Sequence, residues 1–364
     1  MSRKIVSAFA ALILAGSASI ASAQERVVNV FNWSDYIDAS LLEEFTKETG
    51  IKVVYDVFDS NEILETKLLA GGSGYDVVVP TATFLQRQIA AGVFQKLDKS
   101  KLPNLSNMWD EITKRVATYD PGNEYAVDYM WGTTGIGYNV DKVKAILGTD
   151  EKPTWDVLFK PEVAAKFKDC GIHILDSPTD VVPSVLLYLG LNPDSHAPED
   201  LAKAEEALLK IRPYVRKFHS SEYINALANG DICLAIGYSG DVFQARDRAA
   251  EADAGVKVDF SIPPTGAQMW FDVMAIPADA PHVEEAHAFI NFMMKPEVVA
   301  KASDYVFYAN GNKASQQFIS KDVMDDTAIY PPADVMAKLF TTTPFSAKEQ
   351  RVLTRMWTKV VTGQ

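Results

Sequence analysis

The first hundred residues after the amino-terminal segment alternate between strand and helix patterns, and this alternation restricts the possible folds most strongly. Predicted strands are short apolar or β-branched stretches bounded by turn residues, at residues 27–31, 51–58 and 76–79. Predicted helices carry apolar residues at helical spacing and are each followed by glycine, at residues 40–49, 61–70 and 84–91. A β-α-β-α-β order predicts a parallel, doubly wound sheet flanked by helices.

The rest of the chain predicts a second unit of the same kind. A crossover strand is expected at 133–139, and further strands are expected at 171–175, 232–238, 256–262 and 269–276, the last two separated by a turn at 263–266. Helices are expected at 176–189 (with Pro183 in the first turn), 199–211, from 242 onward, and at 284–294, 334–339 and 348–360. We therefore predict an α/β fold of two lobes, residues 24–131 with 249–316 and residues 132–248 with 317–364. More than one crossover between lobes would allow bending at a hinge.

The amino terminus has the pattern of a secretory signal. Arg3 and Lys4 precede an apolar stretch at 5–20, and Ala-Ser-Ala at 21–23 is a small-x-small cleavage site. We expect cleavage after Ala23 and export to the periplasm. No cysteine lies near the cleavage site, which argues against a lipid anchor, and no later stretch approaches about 18 unbroken apolar residues, so the mature chain is expected to be soluble.

The formal charge of the whole chain is −13, and removal of Arg3 and Lys4 makes it two units more negative. Solubility accounts for most of such a charge, which also disfavours nucleic acid and anionic membranes as partners and mildly favours cationic ligands. The two cysteines, Cys170 and Cys233, favour one disulfide in an oxidising compartment, the alternative being two buried thiols.

Polar and aromatic side chains cluster where the predicted strands end. In open α/β sheets the carboxyl ends of parallel strands face the ligand crevice, which selects residues 33–36 and 81–83 on one edge of the sheet. Trp270 and Asp272 alternate on one strand and so share a face. The candidate site residues are Trp33, Ser34, Asp35, Tyr36, Thr81, Asp180, Tyr238, Asp241, Trp270, Asp272 and Tyr308. Aromatic rings and carboxylates without a Lys or Arg suit an organic cation with an apolar middle.

Each candidate also has a structural alternative. Trp33, Trp270 and Tyr308 could simply pack in the core, and the segment at 31–36 could be a helix cap flanked by core aromatics. Asp180 and Asp241 could be helix N-caps. Asp272 is harder to explain structurally, because an acid within an apolar strand is costly when it is buried without a partner.

Enzymes and metal-binding transport proteins are the other classes to consider. The chain contains no Gly-x-Ser-x-Gly or His-Glu-x-x-His motif, and its five histidines are scattered. A ferric-ion-binding protein is expected to have adjacent tyrosines as ligands, whereas Tyr305 and Tyr308 are separated by two residues. We therefore predict a protein without catalytic residues, cofactor or metal, and keep ferric-ion binding as a remote alternative.

Several long segments resemble one family. They are NWSDYI (32–37), ETGIKVVYDVFDSNE (48–62), VVPTATFLQRQ (78–88), YMWGTTGIGYNVDKVKA (129–145), ANGDICLAIGYSGDV (228–242), WFDVMAIPADA (270–280) and FYANGNKA (307–314). The chain resembles the periplasmic polyamine-binding proteins of bacterial ABC importers, and the putrescine-binding members most. The resemblance implies a type II, Venus-flytrap fold that closes over a polyamine, and a monomer that delivers its ligand to an inner-membrane permease. A role in polyamine sensing is an alternative.

The resemblance also implies roles for individual residues. The aromatic box comprises Trp33, Tyr36, Tyr238, Trp270 and Tyr308, the amine-binding acids are Asp35, Asp180, Asp241 and Asp272, and the hydroxyl contacts are Ser34 and Thr81. Cys170 and Cys233 fall where putrescine-binding relatives have a disulfide. Tyr238, Asp180 and Thr81 depart from the indole, glutamate and serine familiar at these places. Because the chain resembles the putrescine-binding members most, putrescine is the first choice of ligand. Because of these three departures, cadaverine, agmatine and spermidine are left open.

Overall fold

The computed structural model describes residues 26–364. The predicted signal sequence and the cleavage site after Ala23 lie outside the described residues. Within the described part of the chain, no helix is both long and apolar enough to cross a membrane.

The described residues form ten strands. They are β1 (Val27–Trp33), β2 (Lys52–Phe58), β3 (Val77–Val78), β4 (Ala126–Asn139), β5 (Ile172–Ile174), β6 (Val215–Phe218), β7 (Leu234–Tyr238), β8 (Val258–Ser261), β9 (Gln268–Ala275) and β10 (Ala309–Asn310).

The α-helices of residues 26–364 are α1 (Ala39–Thr49), α2 (Asn61–Leu69), α3 (Ala82–Ala90), α4 (Asp110–Val116), α5 (Val140–Leu147), α6 (Asp156–Phe159), α7 (Pro161–Ala164), α8 (Pro178–Tyr188), α9 (Pro198–Ile211), α10 (Tyr223–Ala228), α11 (Ser239–Glu251), α12 (Val283–Met293), α13 (Pro296–Val306), α14 (Lys321–Met324), α15 (Ala333–Met336) and α16 (Ala347–Thr362). Short 3₁₀ helices occur at Lys99–Lys101, Pro103–Asn107, Ala165–Phe167, Arg212–Tyr214 and Lys313–Gln317.

Helix α1 shows how local sequence sets these boundaries. Its N-cap is Asp38, whose carboxylate accepts a hydrogen bond from the backbone N–H of Ser40. Leu41 and Phe45 lie one turn apart and are both buried. Gly50 ends the helix with a φ of 70°, a left-handed conformation that glycine adopts without steric cost.

The strands form a mixed sheet in the order β2-β1-β3-β9-β4-β7-β5-β6, with β8 and β10 also paired to β4. Strand β1 pairs in parallel with β2 and β3, which confirms the predicted doubly wound order of the first hundred residues. Strands β5, β6 and β7 are parallel as well. We refer to the elements around β1, β2 and β3 as the first lobe and to those around β5, β6 and β7 as the second lobe.

Strand β4 connects the two lobes. Its first part pairs with β9 and β10, and its last part pairs with β7 and β8. Strands β8 and β9 follow one another along the same side of β4, so the chain crosses back antiparallel to it. The segment between them contains the expected turn, in which the N–H of Gly266 donates to the carbonyl of Pro263 at 2.9 Å.

The exact lobe boundaries stay a prediction. Strand β8, within the segment 249–316 assigned to lobe 1, pairs with residues 136–139 of β4, within the segment assigned to lobe 2.

Two hydrophobic clusters form the core of the described residues. One packs β1 against α1 and α12, through residues such as Val28, Leu41 and Phe289. The other extends from the opposite face of the first lobe through the second, and it includes Trp131 and Phe260. Fully buried apolar side chains of this size each contribute roughly 1.5–3 kcal/mol to folding.

The structure differs from one local expectation and confirms another. Pro183 lies inside α8, beyond the first turn that contains Asp180, so its predicted place in the first turn is wrong. Cys170 and Cys233 form the predicted disulfide, with their Cα atoms 5.5 Å apart. The bridge joins the segment before β5 to the segment before β7, two neighbouring strands of the second lobe.

Candidate functional site

A cavity lies between the two lobes. Its volume is about 500 Å³ including its opening to solvent. The lining residues are Trp33, Ser34, Tyr36, Asp59, Asn61, Thr81, Asp180, Ser220, Ser221, Tyr238, Asp241, Trp270, Asp272 and Tyr308. The structure thus brings together every predicted site residue except Asp35.

Strand ends and helix starts place most of these side chains. Trp33 is the last residue of β1, and Thr81 is the N-cap of α3 after β3. Tyr238 ends β7 and is the N-cap of α11. Trp270 and Asp272 lie within β9, one of the strands that run between the lobes. The cavity therefore lies where the carboxyl ends of strands from both lobes meet, as expected for open α/β sheets.

Asp272 is the most deeply buried acid of the cavity wall, with 4% of its surface exposed. Its Oδ2 accepts a hydrogen bond from the Tyr36 hydroxyl at 2.9 Å, and its Oδ1 accepts one from the Thr81 hydroxyl at 2.7 Å. The Asn61 amide donates to the Thr81 hydroxyl at 2.8 Å and holds it in place. Burial raises the pKa of Asp272 to about 7, although both hydroxyl bonds act to lower it.

Asp241 is held in the same way by two tyrosines. Its Oδ2 accepts from the Tyr223 hydroxyl and its Oδ1 from the Tyr308 hydroxyl, both at 2.7 Å. Burial raises the pKa of Asp241 to about 6 against the effect of these bonds. The N-cap alternative for Asp241 is wrong, because α11 begins earlier and Asp241 lies in its first turn.

Asp180 is the third cavity acid held by hydroxyl groups, and like Asp241 it is half-buried. Its Oδ2 accepts from the Ser177 hydroxyl at 2.5 Å and from the Tyr238 hydroxyl at 2.9 Å. Burial raises the pKa of Asp180. The N-cap alternative fails here too, since Ser177 is the N-cap of α8 and Asp180 belongs to its first turn.

Aromatic rings line the cavity in a continuous chain of edge-to-face contacts. Tyr36 and Tyr308 have ring centroids 5.3 Å apart, Tyr308 and Trp270 5.3 Å, and Trp270 and Tyr238 5.5 Å. Trp33 is anchored by a hydrogen bond of 2.9 Å from its indole N–H to the carbonyl of Val79. Tyr36, Trp270 and Tyr308 are buried, whereas Trp33 and Tyr238 are half-buried. All five rings form part of the cavity wall, where their faces can contact a cation or methylene groups.

Asp35 does not join the other predicted acids. It has a φ of 54°, an uncommon conformation for a residue other than glycine, and its side chain is exposed. Its Oδ1 accepts a hydrogen bond from Arg248 at 2.7 Å. Asp35 therefore forms an ion pair at the surface, and the expectation that it lines the ligand site is not met. Its neighbour Ser34 does line the cavity.

Four lining residues were missed in the sequence. Asp59 and Asn61 follow the end of β2, and Ser220 and Ser221 follow the end of β6. The rule of strand ends, applied to the predicted strand at 51–58, finds Asp59 and Asn61. It does not find Ser220 and Ser221, because β6 before them is not predicted from the sequence.

The charged side chains that line the cavity are all acidic. Four acids line it, Asp59, Asp180, Asp241 and Asp272, and none of the described lining residues is Lys or Arg. The described part of the chain contains no group of three or more His, Cys, Asp or Glu side chains placed to hold a metal ion. Carboxylates between aromatic faces are suited to an organic ammonium compound.

One protein family and two named relatives match most of the chain. The family model described as bacterial extracellular solute-binding protein matches residues 40–331. The chain is 56% identical to the putrescine-binding periplasmic protein SpuD of Pseudomonas aeruginosa, over 97% of each chain. It is 55% identical to the putrescine-binding periplasmic protein PotF of Escherichia coli, covering 98% of this chain and 96% of PotF.

Solved structures show the same architecture. The spermidine/putrescine ABC transporter substrate-binding protein PotD of Streptococcus pneumoniae superposes with a TM-score of 0.75 at 29% identity. The superposition covers 93% of this chain and 99% of that one.

Proposed function

Since this chain belongs to the bacterial extracellular solute-binding proteins, we propose that it captures putrescine or a related polyamine between its lobes and delivers it to an ABC importer. One observation carries the proposal: buried and half-buried carboxylates and aromatic rings line a cavity whose described wall has no basic side chain. Such a wall favours a ligand with positive ends and an apolar middle.

Two acids are proposed to bind the two ends of a diamine. Asp272 and Asp241 each pair with one ammonium group, and Asp180 contributes further negative charge. The rings of Trp33, Trp270 and their neighbours cover the methylene groups and add about 0.5–2 kcal/mol of cation–π attraction each. Ser34 and Thr81 are proposed to contact an ammonium group, directly or through water.

The distance between the two acids would select ligands by the length of their carbon chain. A chain of the wrong length leaves one ammonium group desolvated without a partner, which disfavours it. We propose putrescine as the preferred ligand because the relatives with more than half of their residues in common are named for putrescine. Cadaverine, agmatine and spermidine are the competitors, because Tyr238, Asp180 and Thr81 alter the shape of the wall.

The proposed site of action is the periplasm, reached through the signal sequence of residues 1–23 and its cleavage after Ala23. The protein acts as a monomer and requires no cofactor. Ligand stabilises the closed arrangement of the lobes, and an inner-membrane permease distinguishes this form from the open one.

The test is a panel of putrescine, cadaverine, agmatine, spermidine and spermine on the mature protein, measured by thermal shift and isothermal titration calorimetry. A ligand that binds the folded state raises its melting temperature by mass action. Putrescine is expected to give the largest shift. Asp272→Ala should abolish the shift, whereas Asp325→Ala, which removes an exposed acid, should not alter it. A wild-type protein that responds to no polyamine but binds a sugar, an anion or ferric ion would refute the proposal.

A further inference from the structure

Tyr223 lies behind the cavity wall and contacts Asp241. The residue begins α10, is fully buried and does not line the cavity. Its hydroxyl donates to Asp241 Oδ2 at 2.7 Å and accepts from the backbone N–H of Tyr238 at 3.0 Å. The backbone bond directs the hydroxyl proton toward the carboxylate, because the oxygen already accepts from Tyr238.

A glycine in the sheet makes room for this side chain. A Cβ atom at Gly237 would lie 2.5 Å from Cε2 of the Tyr223 ring, a distance that real Cβ atoms do not reach. The ring therefore lies directly against the backbone of β7. This close contact fixes the position of the Tyr223 ring, and so the position from which its hydroxyl donates to Asp241.

The two tyrosines that bind Asp241 belong to different lobes. Tyr223 and Asp241 both lie in the second lobe, on α10 and α11, which pack against each other. Tyr308 precedes β10, which pairs with the first-lobe part of β4. The bond from Tyr308 thus crosses the cleft, whereas the bond from Tyr223 does not depend on closure.

We propose that Tyr223 is a positioning residue for ligand capture, which orients the Asp241 carboxylate and keeps it ionised before the lobes close. This role rests on the proposed function, in which Asp241 binds an ammonium group. Preorganised hydrogen bonds of this kind let a site meet its ligand without rearrangement.

The charge on Asp241 reflects all the groups that face it. Tyr223 and Tyr308 donate to the carboxylate and lower its pKa, and Arg248 lowers it further, whereas burial and the charge of Asp35 raise it. The charges of Asp241 and Asp180 also act on Asp272 across the cavity. Loss of the Tyr223 hydroxyl removes one stabilising bond, so the pKa of Asp241 should rise above about 6.

The variant Tyr223→Phe keeps the ring and removes the hydroxyl. The matched control is Tyr138→Phe, which removes a tyrosine bond of 3.1 Å to Asp259 outside the cavity. Isothermal titration with putrescine at pH 8 should show affinity reduced roughly tenfold to hundredfold for Tyr223→Phe, the usual range for a hydrogen bond to a charged group. On acidification, its affinity should begin to fall at a higher pH than that of wild type or Tyr138→Phe.

A double-mutant cycle separates positioning from general destabilisation. In the background of Asp241→Asn, Tyr223→Phe should have little further effect on affinity. An equal loss in both backgrounds, or an equal loss in Tyr138→Phe, would overturn the proposal. If Tyr223→Phe does not fold, a fluorinated tyrosine at position 223 supplies a stronger donor and should move the pH midpoint of binding downward; an unmoved midpoint would equally overturn it.

A second readout does not require a ligand. A carbon-13 NMR titration of the aspartate carboxyls, assigned with Asp241→Asn, should show a higher midpoint for Asp241 in Tyr223→Phe than in wild type. An unchanged midpoint refutes the role of Tyr223. A raised midpoint in a protein that binds no polyamine would instead refute the proposed function and leave the hydrogen-bonding role of Tyr223 in place.

Discussion

The acids of the cavity show how single residues are prepared for a cation. Asp180, Asp241 and Asp272 each accept two hydroxyl bonds. These bonds offset only part of the cost of burying a negative charge, and so the pKa of each acid remains raised. An ammonium group brought by a ligand would supply the missing compensation, and the cavity therefore favours cations.

At the residue scale, polyamine binding should depend on pH. The pKa of Asp272 is about 7 and that of Asp241 about 6, and a dication binds the ionised forms. Affinity should therefore be constant above about pH 8 and fall as pH drops through 7 and 6, by up to about tenfold per pH unit for each proton involved. Isothermal titration at pH 6.5 in buffers of different ionisation enthalpy should detect proton release on binding. An affinity for putrescine that does not change between pH 8 and pH 5.5 would contradict this.

At the scale of elements, α11 is the helix that reaches across the cleft. Asp241, Gln244 and Arg248 follow one another at helical spacing on one face. The Gln244 amide donates to the backbone carbonyl of Asp35 at 3.2 Å, and Arg248 pairs with the Asp35 carboxylate. The same helix thus contributes a cavity acid and two contacts to the loop after β1.

Arg248→Ala should weaken ligand binding slightly. The Arg248–Asp35 pair is partly exposed, and such pairs contribute about 0.2–1 kcal/mol, so the expected loss of affinity is less than about fivefold. Because salt screens exposed charges, the difference from wild type should disappear at about 1 M NaCl. Titrations at low and high salt measure this effect. Lys203→Ala, which breaks an exposed pair with Asp200 within α9, should have no effect on affinity at either salt concentration.

The disulfide should stabilise the second lobe without taking part in binding. Cys170 and Cys233 are 63 residues apart, and closing a loop of that size contributes about 2–4 kcal/mol to stability. The double variant Cys170→Ser with Cys233→Ser is expected to unfold at lower denaturant concentration and to keep its putrescine affinity. Urea melts and titration of the same samples test both parts. A large loss of affinity in a folded double variant would show that the bridge also shapes the cavity.

At the scale of the whole molecule, the cavity lies next to the strands that connect the two lobes. Strand β4 and the consecutive strands β8 and β9 cross between the lobes, and the cavity lies beside this crossing. We expect small rotations about such strands to move the lobes relative to each other. In this structure the Tyr308–Asp241 and Arg248–Asp35 contacts already join the two lobes.

The mature protein should become more compact when it binds putrescine. Small-angle X-ray scattering should give a smaller radius of gyration with saturating putrescine than without it, since the ligand favours the closed arrangement. Asp272→Asn, measured at the same putrescine concentration, should keep the radius of the free protein. A radius of wild type that putrescine leaves unchanged would mean that binding does not involve closure.

Much of the fold was predictable because its signals are local. Apolar periodicity, caps and glycine stops identified β1, α1, β2 and α2 within one or two residues. The order of these elements predicted the parallel part of the sheet. Pro183 was misplaced because α8 begins at Pro178, whereas the polar residues at 176–180 also allow a later start in the sequence.

Residue types and strand ends thus determined, from the sequence by itself, which side chains could meet in a cleft. Only the tertiary structure decided which of them do. A φ of 54° at Asp35 turns its carboxylate to Arg248, 213 residues away, and no local pattern encodes that partner. Tyr223 reaches Asp241 only because Gly237 has no side chain. Side-chain direction and contacts between distant segments depend on packing, and packing is a property of the folded chain as a whole.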